Sequence, residues 1–288
     1  MKNKKIRFFD PSKTYLKYKK EFKSEFNRVM SAGDLILRGD VEKFEAWLAN
    51  YTGTRFAVAL NSCTDALYLA LRALKIGPGD EVLVPSRTFV ATAQVIVQVG
   101  ATPVYYDLDG DLELTADFTK VKAIIPVHIE GHFDTHFHKI LDYAESYGWY
   151  IIEDAAQALG ATRNGKKAGS FGIAGCFSFY PAKILGSMLG DAGALTTNDE
   201  KLYNWIKGAR NHFKDTNEDW GINSRLDNPA AALLNIRTLH IDEMLERRKE
   251  IAEMYRDGLK ELQDKGLVKL PENIEGRVWQ DFCLRVND

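Results

Sequence analysis

Lys183 stands in "CFSFYPAKILG", between an apolar run and a glycine-bearing stretch, "GSMLGDAGALTTND". A lysine condenses with an aldehyde only through its neutral amine, and a partly buried position supplies that form. The bland alternative is a solvated loop lysine. In "YIIEDAAQALGA" two carboxylates, Glu153 and Asp154, close an apolar strand, and Gln157 lies one helical turn beyond Asp154. A carboxylate there can pair with a ring nitrogen and hold it protonated, with Gln157 bonding another ring substituent. In isolation, a helix-start carboxylate beside a solvated amide is the better reading of this cluster. Ser62 and Thr64 precede the helical run of "NSCTDALYLALRAL". Their hydroxyls and the first free N–H groups could hold a phosphate at the positive end of the helix, or the two residues could simply cap it. Phe89, in "VPSRTFVAT", is an aromatic that could stack on a ring.

Histidines raise a metal question. His132, His136 and His138 cluster in "GHFDTHFHKI", with no spacing such as H-E-x-x-H, so a surface cluster at a loop-to-helix junction is expected and no metal. His128, in "PVHIEG", either lines the site or is a hydrogen-bonded core histidine.

The elements that would carry these residues alternate. Strand patterns fall at 56–60, 81–85, 102–106, 123–127, 150–153, 175–180 and 194–197, most of them separated by helical stretches such as 64–74 and 139–147. This rhythm predicts an α/β fold with a mostly parallel sheet covered on both faces, and ligands bind such sheets beyond the carboxyl ends of their strands. Ahead of the sheet, Leu16, Phe22, Phe26, Val29 and Met30, then Val41, Phe44, Trp47 and Leu48, predict two packing helices. Residues 230–262 read as one long helix burying Leu233, Ile236, Leu239, Ile241, Met244 and Leu245, with a domain boundary along it.

The 288 residues are 45% hydrophobic and 27% charged, enough apolar material for a large core. The formal charge of −2 gives no general attraction to nucleic acid or anionic membrane. Cys63, Cys176 and Cys283 have no C-x-x-C spacing, which predicts neither disulfides nor zinc, and no signal peptide or spanning run is evident, so a cytoplasmic protein is expected.

Taken in order, "NSCTDALYLALRALKIGPGDEVLVPSRTFVAT", "GATPVYYDLD", "AIIPVHIEG", "IIEDAAQALGA", "GCFSFYPAKILG", "GDAGALTTND" and "INSRLDNPAAAL" resemble the DegT/DnrJ/EryC1/StrS family of sugar aminotransferases over nearly the whole chain. The resemblance implies an aspartate-aminotransferase-like architecture, fold type I of the pyridoxal-phosphate enzymes, with a seven-stranded large domain (1–235) and a partial small domain (236–288). It implies pyridoxal 5'-phosphate with Lys183 as Schiff-base lysine, Asp154 on the pyridinium nitrogen, Gln157 near the ring hydroxyl and Phe89 stacked on the ring. Cys63, Thr64 and Ser178 would hold the phosphate, with Asn223 reaching across from the neighbouring subunit of a homodimer. The implied reaction moves an amino group, from glutamate, to a keto group of a nucleotide-linked deoxysugar, for surface polysaccharide or antibiotic synthesis. The rival reading is a non-catalytic or regulatory protein on the same scaffold.

Three departures stand out. Cys63 occupies a usual glycine position, Met188, Leu189 and Ala192 alter the glycine-rich stretch, and the chain stops at "WQDFCLRVND" where relatives continue. A strand beginning at Trp279 is expected to lack a partner.

Overall fold

A computed structural model describes residues 7–109, 112, 118–216 and 219–286. Helices α1 (Pro11–Lys17), α2 (Lys19–Ala32) and α3 (Gly39–Thr52) lead into strand β1 (Phe56–Leu60). Then follow α4 (Cys63–Ala73), β2 (Glu81–Pro85), α5 (Val90–Gln98), β3 (Thr102–Tyr106), β4 (Val121–Ile124), α6 (Phe137–Tyr147) and β5 (Tyr150–Asp154). A small hairpin, β6 (Thr162–Arg163) and β7 (Lys166–Lys167), precedes β8 (Ala174–Ser178), β9 (Gly193–Thr197) and α7 (Glu200–Ala209). The chain closes with α8 (Asn228–Thr238), α9 (Ile241–Asp264), β10 (Val268–Lys269) and β11 (Arg285–Val286).

Seven strands form one sheet in the order β1-β9-β8-β5-β4-β2-β3. Only β9 opposes its neighbours; the others point the same way. The carboxyl ends of β1, β2, β5 and β8 therefore meet at one edge, where a ligand site belongs in such a sheet.

The core follows the two-residue period of the strands. In β1, Ala57 and Ala59 pack with Phe44 and Leu48 of α3 and Leu234 of α8, whereas Val58 and Leu60 pack with Leu67 and Leu71 of α4 and Ile206 of α7. Each fully buried aliphatic or aromatic side chain contributes about 1.5–3 kcal/mol.

Several expectations need correction. Of the first N-terminal apolar set only Phe22 and Val29 are buried, on the face of α2 that packs on α8; Leu16 of α1 and Phe26 and Met30 of α2 are exposed. The expected long helix breaks into α8 and α9, and Leu239 at the break is 80% exposed. The break is closed by three-residue bonds, Leu239 N–H to Ile236 and His240 N–H to Arg237, without any Gly or Pro to announce it. No strand starts at Trp279: residues 278–282 are irregular, and β11 pairs antiparallel with β10.

Candidate functional site

The expected loops do converge. Gly193, at the start of β9, lies between the ends of β1 and β8: it pairs with Leu60 and Ser178, and a Cβ there would lie 2.1 Å from the Ser62 carbonyl carbon and 2.4 Å from the Cys63 nitrogen. Glycine is thus what lets the α4 N-terminus settle beside Ser178. Ser62 is the cap of α4, its hydroxyl accepting from the Asp65 N–H at 3.1 Å. Among the described residues, no hydrogen bond uses the N–H of Cys63 or Thr64, and these groups stand at the positive end of an eleven-residue helix.

The two adjacent carboxylates have opposite surroundings, because successive side chains of β5 face opposite sides of the sheet. Glu153 is wholly buried and fully partnered. It accepts from the N–H groups of Gly169 (2.8 Å), Phe171 (2.7 Å) and Gly172 (2.9 Å), and lies 3.0 Å from His128 Nε2. The Asp134 N–H points at His128 Nδ1 (3.3 Å), which leaves Nε2 to carry the proton toward Glu153. Asp154 is 5% exposed and held by the Thr92 hydroxyl (2.8 Å), the Ala156 N–H (3.1 Å) and, more weakly, the Cys63 thiol (3.9 Å). Burial pushes its carboxyl above the ordinary value, while Thr92, Ala156 and the nearby charges of Lys183 and His128 pull it back. Asp154 is therefore a buried acid with capacity for one more cationic or donor partner.

Lys183 is half-buried in a loop whose backbone is tied throughout. Its own N–H bonds to the Tyr180 carbonyl (2.8 Å), and Ser187 N–H closes onto Phe179 (2.7 Å). Arg237 of α8 donates to the carbonyls of Gly186 and, at 3.2 Å, Ile184; burial pulls its guanidinium down to about 10. Gly186 permits this turn, since a Cβ would sit 2.1 Å from the Pro181 oxygen. The amine itself makes no hydrogen bond or ion pair among the described residues. Beside it opens a cavity of about 980 Å³, bounded by Arg237, Arg248, Tyr255, Trp279 and Gln280.

Gln157 reaches the same edge through tight turns, not the expected helix, because Ala158 and Ala161 bond back only three residues. Its Oε1 accepts from the Glu130 N–H at 2.6 Å, leaving its amide hydrogens unspent. Phe89, at the start of α5, is 74% exposed, an aromatic face open to a partner. Ser178 is half-buried and accepts from Tyr180 N–H (3.3 Å). The Cys63 thiol turns inward, 3.9 Å from Asp154, so only its backbone N–H faces the α4 end; burial and Asp154 push the thiol well up. Asn223 is exposed, next to Ser224, whose hydroxyl joins Asn61 N–H (3.1 Å) to Asp65 (2.6 Å).

His128 is the buried core histidine. His132 and His136 are buried too, contrary to the expected surface cluster. Their rings lie 2.7 Å from the Phe133 carbonyl and 3.0 Å from the Asp107 carbonyl, while His138 is exposed. Among the described residues no three His, Cys, Asp or Glu side chains group as metal ligands, and no helix is long and apolar enough to cross a membrane. Sequence reasoning passes over Thr92, Glu130, Arg237 and Gln280, which touch the site through contacts between distant segments; only the spacing of Thr88 and Thr92, whose hydroxyls lie 2.8 Å apart, hints at a shared face.

The chain also has relatives among known proteins. Residues 17–288 match the DegT/DnrJ/EryC1/StrS aminotransferase family. A dTDP-3-amino-3,4,6-trideoxy-alpha-D-glucose transaminase of Streptomyces venezuelae is 39% identical, over 97% of this chain and 76% of the relative. A UDP-N-acetyl-3-dehydro-alpha-D-glucosamine 3-aminotransferase of Acidithiobacillus ferrooxidans is also 39% identical, over 93% of this chain and 74% of that one. Among solved structures, DesV of S. venezuelae superposes with a TM-score of 0.89 at 38% identity, covering 98% of this chain and 78% of that one. NtdA of Bacillus subtilis, solved with bound cofactor PMP, gives 0.87 at 31% identity, covering 100% and 68%. The sheet with its single opposed strand is thus that of the fold type I enzymes, and the chain belongs to the DegT/DnrJ/EryC1/StrS aminotransferase family.

Proposed function

We propose that this chain is a pyridoxal-phosphate-dependent aminotransferase that places an amino group, taken from a donor such as glutamate, on the keto carbon of a nucleotide-linked sugar. The observation that carries the reading is the pairing of Lys183, an unbonded amine on a fixed backbone, with Asp154, a buried and under-partnered carboxylate at the same sheet edge. The donor set fits the cofactor. The close approach at Gly193 leaves the Cys63 and Thr64 N–H groups unspent at a helix N-terminus, suited to a phosphate, and Asp154 suits a ring N–H.

When bound, pyridoxal phosphate supplies an aldehyde for the amine and a ring that withdraws electrons from the donor carbon. Lys183 Nζ would hold the cofactor in the resting protein and, when free of it, would carry a proton to and from the donor carbon. Asp154 holds the proton on the ring nitrogen, and that proton in turn restores the ionised carboxylate that burial opposes. Gln157, fixed by Glu130, directs its amide hydrogens to the ring oxygen. Phe89 would cover the ring face, and Ser178 would join the helix N–H groups at the phosphate. Asn223, exposed and with no side-chain hydrogen bond among the described residues, completes the phosphate site of a second subunit in a cytoplasmic homodimer. The cofactor residues all precede position 235, where we divide a large domain (1–235) from a small C-terminal one (236–288).

The test is direct: the purified protein is loaded with pyridoxal phosphate, its visible band is followed on adding glutamate, and dTDP- and UDP-linked 3-keto sugars are assayed for amination by mass spectrometry. A glutamate-dependent band shift and an aminated sugar support the reading. No band shift and no aminated product would sink it.

A further inference from the structure

One tie on the Lys183 loop comes from the far end of the described chain. Gln280 is 9% exposed, and its side-chain amide spans the lysine: Oε1 accepts from the Ile184 N–H at 3.1 Å and Nε2 donates to the Ala182 carbonyl at 3.3 Å. The segment that carries it is itself held from three directions. Val278 N–H bonds to the Gly131 carbonyl at 2.8 Å. Arg248 of α9 donates to the carbonyls of Trp279 (3.1 Å) and Gln280 (2.9 Å). Arg277, lying 4.1 Å over the Trp279 ring, donates to the Glu130 carboxylate at 3.1 Å. Glu130 is also the residue whose N–H fixes Gln157, so residues 277–280 reach the supports of both Gln157 and Lys183.

We infer that Gln280 is a positioning residue for the Lys183 amine, acting by bracketing the peptide groups on either side of it; this rests on the reading of Lys183 as the cofactor-bearing lysine. A side chain's direction follows from the backbone at its root, and pinning both flanking peptides fixes that root. The bracket needs one acceptor and one donor on a single side chain, which glutamine has, glutamate has only in half, and alanine lacks. Reacting groups held to fractions of an ångström gain rate that loosely held ones lose.

The experiment uses Gln280→Ala and Gln280→Glu, with Arg285→Ala as a control that removes only an exposed pair with Asp109. Amide hydrogen exchange at Ile184 is measured in cofactor-free protein, and the pH midpoint of the bound cofactor's visible absorbance in loaded protein. Gln280→Ala removes the acceptor, so Ile184 exchange quickens by about tenfold, the worth of one net hydrogen bond. Gln280→Glu keeps the acceptor, so it protects Ile184, and its negative charge beside Lys183 favours the protonated form and moves the midpoint to higher pH. Arg285→Ala changes neither. Should Gln280→Ala fail to fold, the midpoint in Gln280→Glu decides alone. Unchanged Ile184 exchange in the alanine variant, or an unmoved midpoint in the glutamate variant, overturns the inference. Borohydride labelling of the parent protein separates the two claims: a label on a residue other than Lys183 removes the underlying reading and the inference with it, whereas a label on Lys183 with both readouts unmoved removes the inference alone.

Discussion

Replacing Glu153 with glutamine exchanges one buried carboxylate oxygen for an NH2 group of similar size and removes the negative charge. Two donors, the N–H groups of Phe171 and Gly172, meet Oε1, and two more, Gly169 N–H and His128 Nε2, meet Oε2. If the glutamine oxygen keeps the first pair, its NH2 faces the second pair donor to donor. A tautomer change lets His128 Nε2 accept, but then Nδ1–H confronts the Asp134 N–H, so the mismatch moves without vanishing. Two buried groups are stranded, at about 1–3 kcal/mol each, giving a destabilisation of about 2–6 kcal/mol. Against a typical domain stability of roughly 5–15 kcal/mol this is a large share. Urea unfolding of cofactor-free protein measures it as a lowered midpoint at constant slope. A loss below about 1 kcal/mol would refute the claim that Glu153 is a structural acceptor for these four donors.

Asp154→Asn reverses that pattern: asparagine can still accept from Ala156 N–H and donate to Thr92, so fold and cofactor binding survive while turnover falls at least a hundredfold, each tenfold being about 1.4 kcal/mol of barrier. Burial raises the Asp154 pKa in the folded chain, so its contribution favours folding at low pH and fades as pH rises through the folded value. The cofactor-free variant should therefore gain stability over the parent as pH climbs from the usual carboxylate range, and equal curves at every pH would contradict this. Gly193→Ala must push the Ser62–Cys63 backbone aside, at about 1–3 kcal/mol, and weaken cofactor affinity by about tenfold or more in an equilibrium titration; unchanged affinity counts against the phosphate cradle. For Asn223, chains carrying Lys183→Ala and Asn223→Ala are mixed: action across subunits restores one intact site per heterodimer and lifts activity above either parent, while verified heterodimers without rescue rule it out.

The sheet was legible because its strands are short, apolar and bounded by polar turns; the patterns at 56–60, 81–85 and 102–106 coincide with β1, β2 and β3. That Lys183, Asp154, Gln157 and the Cys63–Thr64 helix start lie at one edge was legible because each ends or follows a strand whose carboxyl end is there. The α8–α9 break was not, since apolar residues keep helical spacing across Leu239 and the break depends on three-residue bonds that no residue type demands. Arg237 and Gln280 look like solvated polar residues in the sequence, yet both are buried against the Lys183 loop. Their partners on that loop lie 51 or more residues away, and periodicity carries no information at that range. Only topology could have told Glu153 from Asp154, since the alternation along β5 separates them but does not say which side faces the loops.

The central claim is that Lys183 carries the cofactor. The protein loaded with pyridoxal phosphate is reduced with borohydride, digested, and its peptides sequenced by mass spectrometry. The account predicts one stoichiometric pyridoxyl adduct, on Lys183 in the "SFYPAKILGSM" stretch, lost when glutamate is added before reduction. An adduct on another lysine, or none in a protein that still binds the cofactor, would contradict it.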